Sequence, residues 1–96
     1  MPTIIENRRN LHQIPEIELT TQKTAQYIEN VLDLYDCTID HPIQNSVTAF
    51  FDNKKEKTIV FRSDMDSLPM EENTNLTFKS TNGCMHACGH DGHMAM

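Results

Sequence analysis

Apolar residues in the first fourteen positions recur at helical spacing. Ile4, Leu11 and Ile14 share one face, which predicts a helix over about residues 3–14. Pro15 ends it, because a proline biases the preceding residue away from helical geometry. Ala25, Ile28, Leu32 and Tyr35 form the clearest amphipathic stripe and predict a second helix, capped by Thr20 or Thr21 and running to about Leu34. After Asp36 the period shortens. Val47, Ala49 and Phe51 alternate within residues 46–51, residues 52–57 make a polar turn, and Ile59, Val60 and Phe61 form the apolar centre of residues 58–62. A β-hairpin across the lysine-rich turn is the simple reading. The unbroken Ile-Val-Phe run fits a central strand covered on both faces. A last helix is expected to begin at His93. The expected fold class is therefore α/β: two helices followed by a few strands in an incomplete sheet.

Composition narrows the classes of function. A chain of 96 residues, 38% of them hydrophobic, is enough for one small domain. Acidic residues outnumber basic ones, 14 to 8, for a formal net charge of −6. Such a chain has no basic stripe for phosphates, which argues against nucleic acid as a partner. No apolar run approaches the roughly 20 residues needed to span a bilayer, so no membrane partner is expected. Residues 1–10 lack the apolar centre of a secretory signal, and the expected location is cytoplasmic. The three cysteines, Cys37, Cys84 and Cys88, are an odd number and do not suggest a disulfide framework.

The candidate chemistry gathers in the last third. Asp64 and Asp66 follow directly on residues 58–62, and open α/β sheets bind ligands at the carboxyl ends of their strands. Capping of a turn is the other reading of this pair. Cys84, His86, Cys88, His90, Asp91 and His93 fall within ten residues. Thiolate and imidazole are preferred ligands of zinc and related divalent metals. Gly83, Gly89 and Gly92 let the backbone turn tightly between them. Cys84 also reads as a small buried residue, and Cys88 as a nucleophile with His90 as its base. Cys37 reads as a structural thiol, His12 and His41 as isolated surface or capping residues, and Glu71 and Glu72 as a solvated pair. The methionines read as gap-filling apolar residues.

Three segments carry a family resemblance. They are Arg8-Arg9-Asn10-Leu11-His12-Gln13-Ile14-Pro15-Glu16, Arg62-Ser63-Asp64-Met65-Asp66-Ser67-Leu68-Pro69 and Met85-His86-Ala87-Cys88-Gly89-His90-Asp91-Gly92-His93. In this order they resemble the motifs of the metal-dependent amidohydrolases that include aminoacylases, hippurate hydrolases and N-acetyl-diaminopimelate deacetylases. The resemblance implies that residues 1–96 are the N-terminal part of a zinc-peptidase-like catalytic domain. It implies hydrolysis of the amide bond of an N-acyl amino acid or peptide-like small molecule. It further implies two divalent ions per site (zinc, manganese, cobalt or nickel) and, in intact members, homodimers.

By the same resemblance Cys88 and His90 are metal ligands, and Asp66 is the catalytic aspartate just behind the site. Asp64, His86 and Asp91 lie around that site. The family's Glu-Glu pair, two further histidine ligands and its inserted dimerisation domain have no counterpart among these residues. Since a catalytic zinc takes about three protein ligands plus water, the chain is expected to be inactive alone. The alternative is a non-enzymatic zinc module closed by Cys84, His86, Cys88, His90 and His93.

Overall fold

The computed structural model describes residues 1–96. Five elements follow in order: α1 (Ile4–His12), α2 (Gln22–Leu32), β1 (Thr38–Asp40), β2 (Thr48–Phe50) and α3 (His90–Ala95). The expected α/β class holds, with an incomplete sheet of two short antiparallel strands. Thr38 faces Phe50 and Ile39 faces Ala49 in that pair.

Local chemistry explains where the helices start. Thr3 opens α1 with a capping box: its Oγ1 accepts from the Glu6 backbone N–H at 3.1 Å, and its own N–H donates to Glu6 Oε2 at 2.7 Å. The first turn of α2 is satisfied differently. Thr21 occupies the cap position but makes no side-chain cap bond; its hydroxyl donates instead to the Asn45 carbonyl at 3.0 Å. Glu16 replaces it. Glu16 Oε1 accepts from both the backbone N–H and the hydroxyl of Thr24, each at 2.7 Å, and Oε2 accepts from the Lys23 N–H at 3.2 Å. A carboxylate at a helix N-terminus also opposes the positive end of the dipole. The two helices are joined through Tyr27, whose hydroxyl donates to Asn7 Oδ1 at 2.9 Å and accepts from Asn10 Nδ2 at 3.0 Å.

The hairpin expected across residues 52–57 is not formed. β2 takes β1 as its partner, and residues 58–62 form no strand. Ile59, Val60 and Phe61 are 78%, 83% and 93% exposed, the reverse of the burial their sequence implies. A strand core becomes buried only when neighbouring strands and a covering layer exist, and this chain places none beside it.

The interior is small and polar. Leu11 and Ala25 are the buried hydrophobic residues, with Pro15 beside them. Buried around them are His12, Thr21, Thr24, Ser67, Glu72, Ser80, His86 and Asp91. An isolated bridge between Ile17 and Ser67 stitches the last third to the helical part, and a second, between Leu68 and Met85, joins two loops within the last third.

Candidate functional site

Residues 83–90 turn sharply twice. Gly83 has φ of 82° and Gly89 of 86°, the left-handed region that favours glycine. The turn at Gly89 puts His90 at the start of α3, three residues earlier than the expected helix start. It leaves Cys88 exposed just before it.

His90 is oriented by the segment after residue 62. Its Nδ1 lies 2.8 Å from the Asp66 carbonyl oxygen and 3.1 Å from Asp66 Oδ1. A carbonyl accepts only, so Nδ1 carries a proton, and in the neutral ring the lone pair is on Nε2. Metal-ligating histidines are commonly held this way, with one nitrogen donating behind and the other facing the ion. Asp64 Oδ2 lies 3.9 Å from that Nε2, and its other oxygen accepts from Arg62 Nη2 at 2.7 Å. The structure thus brings Asp64, Asp66 and His90 together.

His86 and Asp91 lie behind this group. His86 is 4% exposed, and neither ring nitrogen has a partner. Burial pushes its pKa down, toward the neutral ring. Asp91 is buried. Its Oδ2 accepts from His12 Nδ1 at 2.7 Å and from Arg8 Nε at 2.9 Å, while Oδ1 accepts from the Gly92 N–H at 2.9 Å. Burial alone would raise the Asp91 pKa. The hydrogen bonds from His12 and Gly92 and the charge of Arg8 outweigh it and hold the carboxyl below its ordinary range.

His12 and Glu72 were the residues that spacing could not place. His12 is not an isolated surface residue. It is 2% exposed, with Nδ1 on Asp91 and Nε2 2.8 Å from Glu72 Oε1. Glu72 is likewise not solvated: it is 3% exposed, and it accepts from the Ser80 N–H at 2.8 Å and from the Thr74 hydroxyl. Burial opposes its charge, but the bonds from Thr74, Ser80 and His12 prevail and lower its pKa to about 2. Glu72, His12 and Asp91 form a buried relay of charge that ties α1 to α3, beside the residue that presents His90. Phe78 closes the outer side, edge-on to His12 and under the guanidinium groups of Arg8 and Arg9. The one sequence signal for this cluster was that Arg8, Arg9 and His12 share a motif.

The donor set suits part of a metal centre. Cys88 offers an accessible thiol and His90 an oriented nitrogen. Cys84, His86, Cys88, His90 and His93 do not converge, since no three His, Cys, Asp or Glu side chains gather closely enough to hold an ion. The closed zinc module is therefore not favoured.

Comparison with known proteins agrees with this geometry. Residues 60–96 match the model of peptidase family M20/M25/M40. An N-acetyldiaminopimelate deacetylase of Lactococcus lactis subsp. cremoris is 43% identical over 109 residues, covering 100% of this chain and 27% of the relative. An uncharacterised hydrolase of Staphylococcus epidermidis is 43% identical over 88 residues, 91% of this chain and 23% of its own length. Among solved structures, a Bacillus subtilis dinuclear metal-binding peptidase from the M20 family superposes with a TM-score of 0.86 at 38% identity, over 96% of this chain and 27% of that one. The chain spans about a quarter of the length of these relatives.

Proposed function

We propose that this chain, whose residues 60–96 match peptidase family M20/M25/M40 and which resembles the N-terminal part of its members, contributes Cys88 and His90 to a divalent-metal centre for amide hydrolysis. The substrate class is an N-acyl amino acid or a related peptide-like amide, as the deacetylase relative suggests. Residues 1–96 are read as the N-terminal portion of the catalytic domain. The cytoplasm, which keeps thiols reduced, is the expected setting.

The observation that carries the reading is the His90 tautomer. The Asp66 carbonyl accepts a hydrogen bond from Nδ1–H, which in the neutral ring leaves the Nε2 lone pair for an ion. Cys88 is exposed and free to lose its proton to an ion. When bound, the metal would polarise the scissile carbonyl and lower the pKa of a water from about 15.7 toward about 7. Asp66 holds the imidazole in its plane through backbone and carboxylate together. Asp64 sets the negative field on the open side of His90, with its charge shared by Arg62. Asp91 fixes the first turn of α3 to α1, so the residue before it cannot swing. Burial of His86 favours its neutral ring. No glutamate here lies near His90 to take a proton from water, since Glu72 is occupied by three donors. The chain alone therefore binds metal weakly and does not turn over substrate.

Cobalt titration tests this. The sulfur-to-cobalt absorption band is expected to appear with weak affinity, to vanish in Cys88→Ala, to weaken in His90→Gln and to persist in Cys84→Ala. Hydrolysis of hippurate or N-acetyl amino acids is expected to be absent with zinc, manganese or cobalt. Tight binding that requires Cys84, or turnover by the chain alone, overturns the reading.

A further inference from the structure

Asn82-Gly83 is the single Asn-Gly step in the chain; every other asparagine precedes a residue with a side chain. Asparagine is chemically labile where the next backbone nitrogen can reach its side-chain carbonyl carbon, and a following glycine leaves that nitrogen unshielded. Asn82 and Gly83 are both exposed and lie outside helix and strand. The Gly83 N–H makes no backbone hydrogen bond, and no atom lies within 4 Å of the place a Gly83 Cβ would take. The Asn82 side chain is held at both of its polar atoms. Oδ1 accepts from the Cys84 N–H at 3.1 Å, and Nδ2 donates to the Pro15 carbonyl at 2.9 Å.

The two contacts act on the carboxamide in different ways. The Cys84 N–H polarises its carbonyl and stabilises negative charge that develops on the oxygen when the carbon is attacked. The Pro15 contact tethers the nitrogen that must leave, but one neutral hydrogen bond at an exposed residue is a weak restraint. Asp91-Gly92 is the contrasting step. Asp91 is buried, and its carboxylate is held by His12, Arg8 and the Gly92 N–H. An ionised carboxylate is a poor electrophile, and the nitrogen that would attack it is already engaged as a donor.

We propose that Asn82 is a site of spontaneous deamidation, and that the reaction unties the loop carrying Cys84 from the segment that follows α1. The Gly83 nitrogen forms a bond to Asn82 Cγ and gives its proton to water; the Cγ–Nδ2 bond breaks and ammonia leaves. Water then opens the cyclic imide at one of its two carbonyls and leaves aspartate or isoaspartate at position 82. Nothing is oxidised or reduced, and water is the only co-reactant. Both products lack the Nδ2 donor, so the Pro15 carbonyl loses its partner and faces a carboxylate oxygen instead. Isoaspartate also adds a methylene to the backbone just before Gly83. Glu16 lines the same groove as Pro15, Asn82 and Cys84, so the new charge is set near an existing one. The inference depends on neither the family nor the metal reading.

The test is ageing of the full chain at mildly alkaline pH, folded and in urea, followed by trypsin and mass spectrometry of the peptide that begins after Lys79. A gain of one mass unit is expected at Asn82 at least tenfold faster than at any other asparagine. The folded rate is expected within threefold of the rate in urea, and the gain to be absent from this peptide in Asn82→Gln. Hydroxylamine, which cleaves the cyclic imide, is expected to split the aged folded chain between residues 82 and 83. Asn82→Asp, which carries the charge of the product, is expected to raise the unfolding constant in urea about tenfold, the cost of a carbonyl left without its donor. A folded rate more than threefold below that in urea, or no advantage of Asn82 over other asparagines, overturns the modification site. An unfolding curve of Asn82→Asp that matches the parent chain overturns the untying of the loop.

Discussion

Replacing His12 with alanine removes the group between two buried carboxylates. His12 makes two charge-assisted contacts, at 2.7 Å to Asp91 and 2.8 Å to Glu72. At about 1.5–3 kcal/mol each, their loss is worth about 3–6 kcal/mol. The carboxylates are not abandoned. Arg8 and the Gly92 N–H still hold Asp91, and Thr74 and Ser80 still hold Glu72. The lower end, about 3 kcal/mol, is therefore expected, in line with breaking one member of a buried ionic pair. A chain of this length has about 5–14 kcal/mol of stability, and with Leu11 and Ala25 as its buried hydrophobic residues it sits at the low end. Urea unfolding followed by circular dichroism at pH 7 is the assay. With a slope of about 1 kcal/mol per molar, the midpoint falls by about 3 M. Combining His12→Ala with Glu72→Gln is expected to cost less than the sum of the two, because the second change removes a charge that the first left unopposed. A midpoint shift below about 0.5 M, or strict additivity, refutes the argument that this ionic cluster joins α1 to α3.

Two other outcomes follow from the same structure. Because the Glu72 pKa is about 2 in the fold against 4.5 as the ordinary value, its contribution is fully present above about pH 4.5 and is lost as pH falls toward 2. Asp91 is shifted in the same direction, so helical signal against pH should collapse on the acid side in that window, and Glu72→Gln should flatten that slope. Glu16→Ala removes three acceptor contacts at the start of α2 and should destabilise by about 1–2 kcal/mol. Thr21→Val, which removes no cap bond, should cost less in the same urea measurement.

The helices were legible because their signals are local. The stripe through Ala25, Ile28 and Leu32 and the Thr3–Glu6 spacing act within one or two turns, and α1 and α2 formed near the expected bounds. The start of α2 was found, but its cap was assigned to Thr20 or Thr21. Glu16 does that work from the preceding loop, which helical periodicity does not reveal. Residues 58–62 were read correctly as strand-like in composition and wrongly as paired, since pairing depends on neighbours rather than on the segment itself. The acidic, thiol and imidazole residues of the candidate site were visible as a cluster, and the fold brings Asp66 and His90 together. The partners of His12 were not visible. They lie 60 and 79 positions away, and no periodicity reaches that far.

That separation has a consequence for how the chain acquires order. α3 has six residues, too few to persist without docking. It is held at Asp91 by a histidine encoded almost at the other end. Closing so long a loop precedes any reward from the contact, which slows the step relative to helix formation in the first third. A ribosome-bound chain would carry α1 and α2 for some time before its imidazole at position 90 acquired a fixed direction. Amide protection at residues 90–95 should consequently appear last and exchange fastest, so that the fixing of His90 is the last ordering step.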